Sequence, residues 1–490
     1  MIALISIPTS HAWSDNGIAV CTDPHFQENV IICADGQGGS FIAWIDRRGT
    51  TEEVFMQRLG TGGNAIWAVD GINVSREGGP DYNANMVQAS DDGVIVAWTR
   101  GGGTGADIYA QKVSKTGATY WATDGVPVCT ATANQDLACL CSDGAGGAII
   151  AWRDLRNGNY DIYAQRITSS GAASWTTNGI PVCAYTGNQL NPVMCSDGAS
   201  GAIIAWDDAR GSYDVYAQRV SSSGDLQWAM NGVPVSNLPT SSQQQPHICS
   251  DGAGGAILAW YDARDDGDGD VYAQRLLPGG SSAWPANGTA ICTVLGTQGG
   301  ASIAASEGGG AFIAWEDGRD SLHNVAYIQR ISGSGAVQWA ANGIPLSHGQ
   351  HNCYQVGLCS DGLGGAFVTW GDDPGTGPAD DNLYAQRVGP SGTLEWEAYG
   401  TCICCAAELQ RGPSVACVAP GKAVIAWEDY RSGTSYDIYA QQIEIIPKED
   451  WTLTIVLVVV AIAGGVGSVV LFWLYKKGKL KLPSRPATSK

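Results

Sequence analysis

Tryptophan recurs along the chain at a nearly constant interval. One series follows an Ala or Thr residue, with spacings of 54 to 57 residues, and comprises Trp44, Trp98, Trp152, Trp206, Trp260, Trp315, Trp370 and Trp427. A second series lies between these positions and comprises Trp13, Trp67, Trp121, Trp175, Trp228, Trp284, Trp339 and Trp396. The two series of eight, together with Trp451 and Trp473, account for all 18 tryptophans. This spacing predicts a chain built from eight copies of one structural unit.

Each unit contains four short segments with strand character, most clearly in residues 141–182. There an Asp-Gly-Ala-Gly-Gly turn precedes an apolar run ending at Trp152, a polar loop leads to residues 161–166, and a Ser-Ser-Gly turn leads to Trp175. No helical periodicity occurs before residue 451. Four short strands per repeat are typical of a propeller blade. We therefore predict an all-β fold, an eight-bladed β-propeller with four-stranded blades over residues 1–446.

The two ends of the repeat region complement each other. The chain begins with a lone fourth strand around Trp13 and residues 16–18, whereas the last repeat, 417–446, has only strands one to three. Pairing them closes the ring and removes two unpaired sheet edges. The sequence therefore predicts that the N-terminal strand completes the last blade.

Glycine precedes the fourth-strand tryptophan by four positions in all seven internal cases: Gly63, Gly117, Gly171, Gly224, Gly280, Gly335 and Gly392. This pattern resembles the tryptophan-docking motif of eight-bladed quinoprotein-type propellers. The stretch AWRDLRNGNYDIYAQR resembles the sialidase-like, Asp-box repeats of bacterial and archaeal surface proteins. Both resemblances cover the 446 repeat residues, and they imply tryptophans that pack against the neighbouring blade. Fold resemblance alone does not assign a function.

A glutamine recurs two positions after an aromatic residue in every repeat: Gln57, Gln111, Gln165, Gln218, Gln274, Gln329, Gln386 and Gln441. A catalytic group is normally needed once, whereas this amide occurs eight times. The pattern predicts a buried side chain that is hydrogen-bonded to the backbone.

Residues 451–475 form an uncharged, apolar stretch of 25 residues with Trp451, Trp473 and Tyr475 at its ends. As a helix it would be roughly 37 Å long, enough to cross a hydrocarbon core of about 30 Å. We predict a C-terminal transmembrane helix at 451–475 after a linker at 447–450. The tail, 476–490, holds six cations and no acid, which predicts a cytoplasmic tail and an extracellular propeller in a single-pass protein of the cell membrane.

The first ten residues contain no cation and too short an apolar run for a complete secretory signal. Two alternatives stay open: an N-terminus that is truncated or mis-assigned, and a tail-anchored protein whose large domain is cytosolic. We favour the first. Residues 1–475 contain 21 cations against 47 acids, which is the wrong charge for a nucleic-acid binder.

Strand direction predicts which rim of the disc faces outward. The second-to-third loops and the fourth-to-first loops share one rim, here called the upper rim, and the last third strand runs toward the opposite rim and the membrane. The upper-rim loops repeat an Asp and an Arg two apart, followed by an Asp that opens the third strand. We predict a binding rim there, with a local salt-bridge and turn network as the alternative: Asp154, Arg156, Asp161, Asp208, Arg210, Asp214, Asp429, Arg431 and Asp437.

Two further groups suggest metal ions. Asp265, Asp266, Asp268 and Asp270 crowd one loop, and alternation of Asp with Gly suits oxygen ligation of Ca²⁺; a solvated acidic loop is the alternative. His348, His351 and Cys353 lie near the Cys402, Cys404 and Cys405 loop and could form a Zn²⁺ or copper site. The alternatives for Cys353 are a disulfide with Cys405 or no role. Of these metals, Ca²⁺ is the one that we carry forward as a cofactor prediction.

Most of the 15 cysteines occupy two recurring positions, one after the fourth strand and one in the first strand, where other repeats have Ser or Ala. The two positions lie near opposite rims, beyond disulfide reach. They predict small buried thiols. Asn73 and Asn287 open Asn-x-Ser/Thr sequons that an exporting host could glycosylate.

These features predict a monomeric, non-catalytic surface propeller that binds an extracellular glycan, protein or cation. A structural component of a surface layer is one alternative. The other is an enzyme, either a sialidase-like glycosidase or a quinoprotein dehydrogenase, whose singular active site the repeating arginines do not indicate.

Overall fold

The computed structural model describes residues 13–76, 79–102, 105–264, 267–375 and 381–445. The predicted linker, transmembrane helix and basic tail at 447–490 lie outside these residues. Within the described ranges the one helical segment is the 3-10 turn Glu307–Gly309, so none of these residues forms a helix that could cross a bilayer.

The first strand of the chain, β1 (Ile18–Cys21), belongs to the last blade. Blade 1 contains β2 (Gln27–Ala34), β3 (Ser40–Asp46), β4 (Glu53–Leu59) and β5 (Ile72–Asn73). Blade 2 contains β6 (Asp81–Gln88), β7 (Val94–Arg100), β8 (Asp107–Val113) and β9 (Val126–Cys129). Blade 3 contains β10 (Gln135–Ser142), β11 (Ala148–Asp154), β12 (Asp161–Ile167) and β13 (Ile180–Cys183). Blade 4 contains β14 (Gln189–Ser196), β15 (Ala202–Asp208), β16 (Asp214–Val220) and β17 (Val233–Ser236).

The remaining blades repeat this order. Blade 5 contains β18 (Gln243–Ser250), β19 (Ala256–Asp262), β20 (Asp270–Leu276) and β21 (Thr289–Cys292). Blade 6 contains β22 (Gln298–Ser306), β23 (Gly310–Asp317), β24 (Val325–Ile331) and β25 (Ile344–Pro345). Blade 7 contains β26 (Asn352–Ser360), β27 (Ala366–Asp373), β28 (Asn382–Val388) and β29 (Thr401–Cys404). Blade 8 contains β30 (Gln410–Ala419), β31 (Lys422–Asp429) and β32 (Asp437–Glu444), with β1 as its fourth strand.

The N-terminal strand closes the last blade, as predicted. β1 pairs antiparallel with β32, with Ile18 opposite Ala440. The contact extends below the strand, where Gln441 Nε2 donates to the carbonyl oxygen of Ser14 at 2.5 Å. The chain thus enters β1 and leaves β32 at the lower rim, and β32 is bonded on both sides, to β1 and β31. The eightfold, four-stranded all-β propeller is confirmed.

The core lies between the blades. Each second strand has a strand on either side and a neighbouring blade on both faces, so its sequence is almost continuously apolar. Its tryptophan is 0% exposed in all eight blades. The fourth-strand tryptophan packs on the next blade: Trp67 Nε1 donates to Lys115 O at 3.0 Å, and a Cβ on Gly117, whose φ is +88°, would come 3.0 Å from the Trp67 ring. This contact couples neighbouring blades. It does not show to which repeat family the chain belongs.

The recurring glutamine is structural, as predicted. In blade 4, Gln218 Nε2 donates to Ala229 O at 2.8 Å, while its Oε1 accepts the backbone N–H groups of Arg219 and Trp228, both at 2.9 Å. The same three bonds hold the third strand to the fourth-strand turn in seven blades, and in blade 8 Gln441 makes two of them, to Ser14 O and from the Gln442 N–H. All eight side chains are 0% exposed.

The first strands line the axis and carry a feature that the sequence reading missed. In seven blades the third residue of the first strand, and in blade 7 the fourth, has a left-handed φ between 49° and 65°, and the ladder shifts register around it, which is a β-bulge. Asparagine or glycine tolerates this conformation best, and seven of the eight positions have a carboxamide or glycine. The eight residues are Asn29, Asn83, Leu137, Asn191, Gln245, Gly300, Gln355 and Gly412. The recurrence of Asn at this position was the signal in the sequence that could have indicated the bulge.

Candidate functional site

The upper rim carries a repeated unit made of one Trp, Asp, Arg and aromatic residue. In blade 4, Trp206 Nε1 donates to Asp208 Oδ2 at 2.8 Å, and Arg210 makes a two-pronged pair with the same carboxylate at 2.8 and 2.7 Å. The guanidinium lies 3.8 Å above the ring of Tyr216. Blades 1, 3, 5, 6 and 8 contain the same unit. Because Trp and Asp are two apart on one strand, both side chains lie on the same face.

The residues of the predicted binding rim belong to this unit and its loop. Asp154, Asp208 and Asp429 are 0% exposed, and Asp161, Asp214 and Asp437 are 2%, 3% and 4% exposed. Arg156, Arg210 and Arg431 are half-buried and paired with the aspartate two residues earlier. These carboxylates thus take part in the internal network of their loops, and binding of a partner through the nine residues stays a prediction.

The cysteines after the fourth strands lie beneath this unit as buried thiols. Burial raises the pKa of Cys183 to about 12, and its Sγ lies 3.7 Å from Arg210 Nη2. All 15 cysteines lie within the described ranges; Cys402 and Cys405 form a disulfide there, with Cα atoms 6.2 Å apart, and the other thirteen are free. The alternative of a Cys353–Cys405 bridge is therefore wrong, because the Cys353 side chain is buried against Ser347, with Sγ to Oγ at 2.8 Å.

Blade 7 departs from the repeated unit at several positions. Pro374 stands where other blades have the arginine, so Asp372 pairs instead with His351, Nδ1 to Oδ2, at 2.6 Å. Tyr399, at φ 71°, replaces the usual Asn or Asp of the fourth-strand turn and lies 5.7 Å from His348, ring centre to ring centre. The imidazoles of His348 and His351 are 4.3 Å apart, edge to face.

The predicted metal sites receive no preformed ligand set. Across the described ranges, no group of three or more His, Cys, Asp or Glu side chains is arranged to hold a metal ion. His348 and His351 lie side by side, but the Cys353 thiol faces the core. Asp265 and Asp266 lie outside the described residues, and Asp270 is 2% exposed at the start of β20. Both metal sites stay predictions.

The two sequons lie in hydrogen-bonded turns. Asn73 Nδ2 donates to Glu53 Oε2 at 2.8 Å, and Asn287 Oδ1 accepts the Asn237 N–H at 3.1 Å. Glycosylation at either stays a prediction, and an attached glycan would have to displace these contacts.

The axis holds a cavity of about 750 Å³ lined by the first strands of blades 2 to 6. Asn83, Asn191 and Gln245 project from the bulges in its wall. The Asp207 carboxylate is held by the bulges of its own blade and of the next blade: it accepts from Asn191 Nδ2 at 2.7 Å and from the Gln245 N–H at 2.8 Å. Burial raises the pKa of Asp207 to about 6.

The Asp207 carboxylate should make stability depend on pH. A carboxyl whose folded pKa is raised from 3.8 to about 6 binds a proton in the folded protein over that interval, so the free energy of unfolding falls as pH rises through it. We expect Asp207→Asn to raise the free energy of unfolding by about 1–3 kcal/mol at pH 7.5 and to change little at pH 4.

Denaturant unfolding at the two pH values measures this effect. Asp15→Asn, in the exposed turn before β1, is the surface control. An equal effect of Asp207→Asn at both pH values would show that the buried charge is not its cause.

An exposed aromatic cluster lies where blade 8 meets blade 1 on the upper rim. It consists of Phe26, Arg411, Tyr430 and Tyr436. Phe26 is 40% exposed, and its ring centre lies 6.3 Å from that of Tyr436, which is 5.1 Å from that of Tyr430. The Arg411 guanidinium lies 3.9 Å above Tyr436, and its Nε donates to Glu428 at 2.9 Å. The sequence reading missed this cluster because its members come from three separate segments: the connection before β2, the start of β30 and the loop between β31 and β32.

Comparison with known proteins supports the fold. No protein-family profile matches the chain, and no curated protein matches its sequence. The BP39L lectin from Burkholderia pseudomallei superposes with a TM-score of 0.50 at 9% identity, covering 75% of this chain and 98% of the lectin. The β-propeller domain of the Trilobed protease from Pyrococcus furiosus superposes with 0.43 at 12% identity, covering 77% and 97%. A PL25 ulvan lyase superposes with 0.45 at 10% identity, covering 81% and 97%. Lectins and enzymes both occur among these neighbours, so they indicate the architecture alone.

Proposed function

We propose that this chain is a non-catalytic, single-pass surface protein whose propeller binds an extracellular glycan or protein through its upper rim. Membrane attachment rests on the apolar stretch 451–475 and the basic tail that follows. β32 ends at the lower rim, opposite the rim that we propose as the binding surface.

The aromatic cluster is the observation that carries the proposal. In blades 1, 3, 4, 5, 6 and 8 the repeated unit holds its arginine over an aromatic ring that is buried or half-buried, which stabilises the loop. Phe26, Tyr430 and Tyr436 lie outside that unit, and the ring of Phe26 leaves apolar surface in contact with water that a bound partner would bury. Aromatic and arginine side chains with fixed geometry dominate binding energy at interfaces, because they bury large areas at small entropic cost.

The surroundings of the cluster favour recognition over catalysis. Glu428 pairs with Arg411, and Glu28 accepts from Arg47 Nη2 at 2.5 Å. A general acid or base needs a carboxyl that can exchange its proton with a substrate, whereas these carboxylates orient the arginines that flank the rings. The cluster is therefore a stacking surface with fixed charges around it.

We expect Phe26→Ala and Tyr436→Ala each to weaken binding at least tenfold, because each removes a ring from the stacking surface. The measurement is binding of the full-length chain, held in a sugar-free detergent, to an array of neutral, sialylated and uronate-containing glycans, followed by titration of the strongest glycan.

Tyr185→Ala is the matched control, since Tyr185 is a 44% exposed aromatic residue on the same rim but outside the cluster. It should leave the affinity unchanged. If the cluster variants bind the glycan as tightly as the unmodified protein, the proposed site is refuted. Turnover of the bound glycan would refute the non-catalytic role.

A further inference from the structure

The Cys402–Cys405 disulfide lies on the upper rim, in the segment that leads from β29 to β30. Its cysteines are three residues apart, so the bridge closes a very short loop and joins no two separate strands. The stabilisation that a disulfide provides increases with the length of the loop that it closes. We therefore expect this bridge to add little to the stability of the propeller.

Blade 3 has the same backbone in this segment without a disulfide. β29 pairs with β28 in the register in which β13 pairs with β12, so that Cys402 takes the place of Pro181 and Cys405 the place of Ala184. The backbone N–H groups of Cys405 and Ala184 each donate to the Oδ1 atom of an asparagine in the next blade, at 3.0 and 3.2 Å. The segment thus takes this conformation whether or not a bridge is present, and the fold does not require one.

The two sulfur atoms of the bridge differ in their access to solvent. Cys405 is exposed, with the Tyr384 hydroxyl 3.9 Å from its Sγ, whereas Cys402 is half-buried in β29. Thiol–disulfide exchange begins when a thiolate attacks one sulfur of a disulfide, so access decides which sulfur is attacked. Cys405 therefore offers the sulfur that a thiol from solution reaches first.

The neighbouring thiol is shielded from this chemistry. Cys404 is 0% exposed, and its Sγ lies 3.7 Å from Asp429 Oδ2 and 3.1 Å from Arg431 Nη2. Burial raises the pKa of Cys404 to about 12, as it does for Cys183 at the equivalent position of blade 3. A protonated, enclosed thiol is a poor nucleophile, so Cys404 does not compete for the bridge at neutral pH.

We infer that the Cys402–Cys405 disulfide is a thiol-exchange site that takes up a low-molecular-weight thiol at Cys405. The thiolate of the small thiol attacks Cys405 Sγ and forms a mixed disulfide, and the Cys402 sulfur leaves as a thiolate that takes a proton from water. A second small thiolate attacks the small-thiol sulfur of the mixed disulfide, and Cys405 leaves and is protonated in turn. The two small thiols become one disulfide, and their two electrons reduce the bridge.

This chemistry uses none of the residues of the aromatic cluster, so the inference goes beyond the proposed function and does not depend on it. The conformation shared with blade 3 also means that reduction should leave the propeller folded.

The test is incubation of the full-length chain, folded in detergent, with reduced glutathione, followed by N-ethylmaleimide and peptide mass spectrometry. We expect glutathione on Cys405 at early times and the maleimide on both Cys402 and Cys405 at late times. Buried thiols such as Cys404 should stay unlabelled, and the reduced protein should keep its cooperative thermal transition.

Two single variants test the role of access, because each leaves one cysteine of the pair. With oxidised glutathione, the Cys402→Ser protein should form a mixed disulfide at least fivefold faster than the Cys405→Ser protein, because its remaining thiol is the exposed one. Thermal unfolding shows that each variant is folded.

Cys404→Ser is the matched control and should leave the rate of bridge reduction within twofold. Serine occupies the equivalent position in three other blades, as Ser75, Ser236 and Ser347. A bridge that stays intact in the folded protein, glutathione that appears first on Cys402, or equal rates for the two single variants would overturn the inference.

Discussion

Replacing Trp206 with alanine lowers the free energy of unfolding by about 3–5 kcal/mol, the range for large aromatic truncations in protein cores. Trp206 is 0% exposed and packs between blades 3 and 4 against residues such as Ile149 and Ile162. The substitution leaves a cavity that rigid strands on both sides cannot fill, and it removes the donor to the buried Asp208 carboxylate. Unfolding in guanidinium, monitored by the circular dichroism of the backbone rather than by tryptophan fluorescence, measures the loss.

Blade 7 offers a matched control for the hydrogen bond. Trp370 is also 0% exposed, but its Nε1 atom has no partner within the described parts of the chain. Trp206→Phe should therefore cost about 1.5–3 kcal/mol more than Trp370→Phe, because only the first loses a bond to a charged group. Equal losses would mean that packing alone accounts for the role of these tryptophans.

Removing residues 1–21 should abolish the cooperative thermal transition of the monomer, which is the largest effect we expect. The deletion leaves β32 as an open sheet edge and exposes the apolar surface that Val20 and Cys21 cover. It also removes Asn16, whose carbonyl accepts from Arg431 at 2.8 Å and whose Oδ1 accepts the Cys405 N–H at 3.0 Å. Thermal unfolding and light scattering measure the loss of the transition and the association through the open edge.

A synthetic peptide spanning residues 13–24 tests whether strand pairing is the cause. Added in excess, it should restore the transition and the monomeric state, since the groove beside β32 is specific for its side chains. A scrambled peptide of the same composition should do neither. A deletion variant that melts like the intact chain would show that ring closure contributes little.

The regular part of the architecture could be predicted because its signals are local and repeated. The spacing of Trp44, Trp98 and the equivalent tryptophans gives the number of blades, however much the loop sequences vary. The lone strand at the start of the chain matches the strand that the last repeat lacks. The role of Gln57 and its seven equivalents followed from recurrence alone, and the hydrogen bonds confirm it. Repetition was informative because a fold that needs the same contact in every blade keeps the same residue.

The chemistry of the upper rim was harder to predict, because it depends on whether each side chain points inward or outward. The Asp of each loop looked like an exposed acid, yet it lies two residues after a buried Trp and so shares its inward face. That spacing was available in the sequence and indicates burial. The aromatic cluster carries no comparable signal, since Phe26 and Tyr436 are brought together only by the closed ring.

The position of β32 in its blade also determines how the disc would respond to tension. A pull between a ligand on the upper rim and the chain end at residue 445 runs along β32, which has a hydrogen-bonded neighbour on each side. The load is shared in shear by two ladders, whereas an outermost last strand would have only one. Because the N-terminal strand β1 closes the last blade, the C-terminal strand β32, which would bear the force, is paired on both sides.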